Sequence, residues 1–156
     1  MNDLTENETE QLREEVREYV DIMTRAYLTT ALWSSVDERH IENPEDFPEM
    51  LDASFEVNDI DEGSYAEARA DCEDFALCNW TDLMAAFKVS PGFHRNGNVY
   101  DASQAGHDFW LTRNGHGAGF WDRGLGMVGD RLTENSKPYG EANLYVEDDG
   151  TVYYQG

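Results

Sequence analysis

Cations are scarce in this chain: 11 Lys and Arg stand against 33 Asp and Glu, a formal net charge of −22. Lysine is almost missing, present only as Lys88 and Lys137, a bias that fits a GC-rich coding source or a salt-adapted proteome. So anionic a chain is disfavoured as a direct binder of bare nucleic acid or of an anionic membrane surface, because those partners are themselves polyanions. Cysteine is limited to Cys72 and Cys78, with no Cys-x-x-Cys pair and no third thiol for a zinc knuckle. Their six-residue separation in a helical pattern turns them to different faces, so both are expected to be reduced, packed thiols of a cytoplasmic protein. No run approaches the ~20 apolar residues of a membrane span, and Met1 to Leu4 lack the basic and apolar regions of a secretory signal. Also missing are a Gly-Lys-Ser/Thr phosphate loop, the dinucleotide glycine fingerprint, a His-Glu-x-x-His metal motif and a nucleophile elbow around Ser103.

What is present suffices for one core. The 156 residues are 40% hydrophobic and 12% aromatic, which predicts a single domain over 1–156. Charge divides it: residues 1–75 hold 23 acids and 5 Arg, a net of −18, while 76–156 hold 10 acids and 6 bases, a net of −4. The first part is expected to be an acidic helical half, and the second a loop, a Gly-rich segment and a hairpin.

Thr5 and Glu8 have capping-box spacing, and Leu12, Val16, Val20, Met23, Tyr27, Leu28 and Leu32 recur at three and four residues, predicting an amphipathic helix over 5–35. Residues 37–62, broken by Pro44 and Pro48, read as an acidic connector. Helical spacing resumes from Ser64 to Lys88, with Asn79 as an interruption. Residues 89–105 read as a long loop. From Asp108, Phe109, Leu111 and Arg113 alternate with Trp110, Thr112 and Asn114, which predicts a central strand. A short helix over 125–136 follows, with Met127, Val128 and Leu132 inward. Leu144 and Val146, then Asp149-Gly150, then Val152 and Tyr154 give a hairpin. The expected fold is α+β: two helices packed on a small antiparallel sheet that ends in the C-terminal β-hairpin.

Residues 106–124 read Gly-His-Asp-Phe-Trp-Leu-Thr-Arg-Asn-Gly-His-Gly-Ala-Gly-Phe-Trp-Asp-Arg-Gly. His107, Asp108, His116 and Asp122 are the candidate catalytic residues, since imidazole titrates near neutrality and a neighbouring carboxylate can fix its tautomer. Structural, hydrogen-bonding histidines are the competing reading. No metal site is assigned, although His94 in the long loop would be a third ligand and His40 lies in the connector. Alternating Gly115, Gly117 and Gly119 permit a ligand or anion cradle, with Arg113, His116 and Arg123 supplying positive potential. The other reading is a tight turn in which Phe120 and Trp121 return to the core, Asp122 caps the next helix and Arg123 pairs with an acid. As a contact surface, Arg113, Asn114, His116, Phe120, Trp121, Asp122 and Arg123 bring together residue types that dominate interface hot spots.

This segment resembles the signature of a family of small uncharacterised proteins encoded by tailed phages and prophages. The resemblance extends to Thr30-Ala31-Leu32-Trp33-Ser34-Ser35, to Asp71-Cys72 with Phe75, and to Leu144-Tyr145-Val146 with Asp148-Asp149-Gly150. Residues 79–105 match it least. It implies a phage or prophage origin and brings no activity with it. Acidity and resemblance together point to a phage accessory protein in the host-cell cytoplasm. Its partner would be a host protein, a nucleic-acid-binding defence or replication factor met by charge mimicry. The alternatives are a small hydrolase or nucleotide-modifying enzyme sited at the Gly-rich turn, and a virion or assembly component. Binding is preferred to catalysis, no cofactor is expected, and a homo-oligomer stays open.

Overall fold

Thr5 starts the first helix as the spacing predicts: its hydroxyl accepts the Glu8 backbone N–H at 3.2 Å. Helix α1 then runs Glu6–Ser34, about 43 Å at 1.5 Å per residue. Its first turns are mostly exposed, Val16 and Tyr19 are half-buried against the core, and from Val20 it buries a face through Met23, Tyr27, Leu28 and Ala31. The computed structural model describes residues 5–39, 47–89 and 99–156. His40, Pro44, His94 and most of the predicted loop lie outside the described residues.

The described parts of the acidic connector are tied down. Asp37 N–H donates to the Glu49 carbonyl and Leu51 N–H to the Ser35 carbonyl, each at 2.8 Å, and Leu51, Val57 and Ile60 are buried. Helix α2, Glu62–Cys78, is capped by Asp61, whose carboxylate accepts the Ser64 N–H at 3.0 Å. Asn79 divides it from α3, Trp80–Val89. The buried Asn79 amide donates to the Phe75 carbonyl and accepts from Asn135, which satisfies the side chain at the break.

The predicted central strand is a helix: α4 spans Ala102–Arg113, capped by Asp101 accepting the Gln104 N–H at 3.0 Å. Ala102 to Ala105 thereby leave the predicted loop. The alternation misleads because Phe109, Trp110, Leu111 and Arg113 are all buried, so the second half of the helix shows no polar face from which a 3.6-residue period could be read. Helix α5, Met127–Ser136, follows a single 3₁₀ turn at Phe120–Asp122. Leu132 is buried, whereas Met127 is exposed and not inward as expected. The hairpin forms as expected, β1 Asn143–Val146 against β2 Val152–Gln155, pairing Leu144 with Tyr154 and Val146 with Val152.

The architecture is thus α+β with five helices and one two-stranded antiparallel sheet among the described residues. Two helices on a three-stranded sheet is corrected, because the residues assigned to the central strand fill the core as α4. Phe109 lies at its middle, stacked on Phe75 at 4.3 Å and on Tyr27 at 5.4 Å between ring centroids. Cys72 is buried as expected, but Cys78 is exposed, and both thiols are free. Among the described residues no helix is long and apolar enough to cross a membrane.

Candidate functional site

Two buried charges organise the signature segment, and they have separate partners. Asp108 is fully buried. The Tyr100 hydroxyl donates to its Oδ2 at 2.7 Å and Gln104 Nε2 to its Oδ1 at 3.1 Å. Arg123 clasps the same carboxylate through Nη2 at 2.8 Å and Nε at 3.1 Å. His107 Nδ1 lies 2.9 Å from Oδ1. A carboxylate paired with a guanidinium only accepts, so Nδ1 carries the ring proton and Nε2 is the atom left for other partners. Burial works against the Arg123 charge, yet the hydrogen bonds and charge of Asp108 prevail and its pKa stands above the ordinary arginine value. For Tyr100, burial first and the Asp108 charge second push the phenol well above its usual range.

Arg113 is the second centre. Nη1 donates to the Tyr27 hydroxyl at 2.9 Å and to Asp71 Oδ2 and the Tyr154 hydroxyl at 3.0 Å. Nε and Nη2 donate to the carbonyls of Gly140 and Tyr139, both at 2.8 Å. Tyr154 passes its proton donor to Asp71 at 2.6 Å, which leaves Tyr27 as the donor in the 2.7 Å contact between the two hydroxyls. One guanidinium therefore joins α4 to α1, α2, the hairpin and the turn before it.

Of the candidate catalytic residues, the geometry brings together His107 and Asp108. Among the described residues no hydrogen bond or ion pair links His116 or Asp122 to them, although the Asp122 charge helps hold up the Arg123 pKa. Asp122 does not cap α5, whose N-cap is Gly126. The expected single contact surface does not form. Arg113 and Phe120 belong to the core, while Trp121 is 54% exposed. Asn114 is occupied in joining elements, donating to the Trp110 carbonyl at 2.9 Å and accepting the Ala142 N–H at 2.9 Å. His116 is exposed on the rim of a cleft of about 910 Å³ that also meets Arg39, Trp110, Asn114, Glu141 and Tyr145.

The glycines have structural explanations at two positions. Gly115 takes φ +71°, the left-handed region that ends α4. A side chain at Gly119 would collide with the Thr112 hydroxyl. With Arg113 directed wholly at protein groups and Arg123 at Asp108 and the Ala118 carbonyl, the cradle reading lacks its cations. Among the described residues no cluster of His, Cys, Asp and Glu has the geometry to hold a metal ion.

Sequence reading missed Tyr100 and Gln104 around Asp108, and Tyr27, Asp71 and Tyr154 around Arg113. Gln104 was within reach: it stands four residues before Asp108, which is adjacency on a helix and nothing on a strand. Comparison with known proteins finds no family model, no curated protein and no solved structure that matches this chain.

Proposed function

We propose that this chain is a non-enzymatic binding protein, a phage accessory factor that presents an ordered row of carboxylates to a cationic groove on a host nucleic-acid-binding protein. One observation carries the reading: Glu6, Glu8, Glu10, Glu14, Glu15 and Glu18 are all exposed on the first half of α1. Glu10, Glu14 and Glu18 follow one another at about 6 Å along the axis. Arg13 and Arg17 answer two of them, at 3.2 and 2.7 Å. Such exposed pairs contribute about 0–1 kcal/mol, so the cations of a partner can replace them. A helix holds these charges in a fixed line before any encounter, which favours fast, salt-sensitive association. The phage-like signature at 106–124 is what makes the partner a host protein and the host cytoplasm the setting.

An enzymatic reading has the His107–Asp108 pair in its favour, with Nε2 free to accept a proton. It loses support at the Gly-rich turn because both arginines offered as anion holders are engaged by protein groups.

The test uses host proteins that bind immobilised heparin, passed over the full chain and over Glu10→Gln/Glu14→Gln/Glu18→Gln. A retained protein should be released by rising salt and by duplex DNA, and lost with the triple variant. Retention indifferent to salt or to the substitutions, or no retained protein, overturns the proposal.

A further inference from the structure

A groove between α1 and α4 departs from the acidic character of the chain as a whole. In a chain with 33 acids, no carboxylate among the described residues lines it; its walls include Arg25, Thr29 and Trp33 from α1 and Ser103 and His107 from α4. Its volume, about 420 Å³, falls in the roughly 300–1,000 Å³ range of small-molecule sites.

Arg25 is the unusual member. Seven other described arginines, at 13, 17, 39, 69, 113, 123 and 131, each lie within ion-pair distance of a carboxylate. Among the described residues no carboxylate lies that close to Arg25. Acids outnumber bases three to one in the sequence, so a guanidinium with no carboxylate at ion-pair distance among the described residues, on a groove whose described lining carries no acid, is an exception in this protein. Beside it Trp33 is 41% exposed, and its ring lies over His107 with centroids 5.9 Å apart and planes inclined by 32°. His107 cannot turn freely, since Nδ1 is held by the buried Asp108, so Nε2 is the ring nitrogen with no assigned partner. The Thr29 hydroxyl donates to the Arg25 carbonyl at 2.8 Å, which leaves its oxygen as an acceptor.

We infer that this groove binds a small ligand in which a planar ring carries one anionic group, the chemistry shared by nucleoside monophosphates and aromatic carboxylates. Arg25 takes the anion, by charge-assisted hydrogen bonds. Trp33 takes the ring face, and the fixed imidazole, Ser103 and Thr29 supply donors and acceptors for its edge. Nothing in this inference depends on the acidic row of α1.

The probes are AMP and indole-3-acetate, with adenosine and inorganic phosphate as controls lacking the anion or the ring. Binding is followed by NMR through the Trp33 indole N–H and the His107 ring. Both ring-bearing anions, or one of them if the pocket discriminates phosphate from carboxylate, should shift these signals. Adenosine and phosphate should do so far more weakly. Arg25→Gln should weaken binding about tenfold, the effect of one charge-assisted hydrogen bond. Trp33→Ala should weaken it for every ring, and the triple Glu variant of α1 should bind as the native chain does. If neither ring-bearing anion shifts the two signals, if adenosine binds as well as AMP, or if Arg25→Gln leaves affinity unchanged, the inference is wrong.

Discussion

Arg123 reaches back across the Gly-rich turn to Asp108, Nη2 to Oδ1 at 2.8 Å, while the same nitrogen donates to the Ala118 carbonyl at 3.2 Å. The pair thus pins the turn to α4, and it does so where the aspartate has no access to water and the arginine side chain is 18% exposed. Asp108→Asn keeps the shape and removes the charge, leaving a mostly buried guanidinium without its counter-ion. We expect a loss of about 3 kcal/mol in urea unfolding, read as a lower midpoint at unchanged slope. A loss below about 1 kcal/mol would place the pair with ordinary surface ion pairs.

Arg113→Met should be comparably damaging. It strips donors from two tyrosine hydroxyls, Asp71 and two carbonyls at once, and the expected loss is about 2–4 kcal/mol. Arg131→Gln is the internal comparison: its bidentate pair with Asp82 is as short, at 2.7 Å, but the arginine side chain is 50% exposed. That variant should lose no more than about 1 kcal/mol. Equal effects would mean that burial is not what sets the weight of these pairs.

These two arginines also show where the sequence is legible. Elements with one wet face are readable: α1 carries its period openly, the Asp149-Gly150 hairpin carries a turn signal, and Asn79 marks a break that the fold makes. Helix α4 hides its period because almost every side chain from Phe109 to Arg113 is buried, and a two-residue alternation appears by accident. That one misreading removes Gln104 from the neighbourhood of Asp108 and turns Arg113 outward as a contact residue. The partners of Arg113 are 26 to 86 residues distant in sequence, and no local spacing can announce them.

Gly106 lies where α4 crosses α1, and an added Cβ there would strike the Met23 carbonyl oxygen and come within 2.9 Å of the Tyr27 nitrogen. In a free helix Gly→Ala gains about 1 kcal/mol. Here backbone stands in the way and cannot yield like a flexible side chain, so Gly106→Ala should reverse that sign and lower stability by about 1–3 kcal/mol. Gly117→Ala, with nothing within 4 Å of the added carbon, should be neutral or slightly stabilising. A Gly106→Ala protein that melts no lower than the native one would show that the two helices are not in close contact.

Alkali should unfold this protein through its tyrosines. Burial pushes the phenols of Tyr27 and Tyr100 well above the ordinary value of 10.0, and the charge of Asp108 and the hydrogen bond to it add to the effect at Tyr100. Burial likewise raises Tyr19, whose hydroxyl is buried without a hydrogen-bond partner among the described residues. A phenol that keeps its proton in the folded state and loses it in the unfolded one makes the folded state the greater proton binder at high pH. The stability these groups contribute is therefore complete below pH 10 and is lost progressively as pH rises above it toward the folded-state values. Near-ultraviolet tyrosinate absorbance and far-ultraviolet circular dichroism, followed together, check this. The buried phenols should ionise only as helix signal disappears, and ionisation of all 8 tyrosines near pH 10 with the helices intact would contradict it.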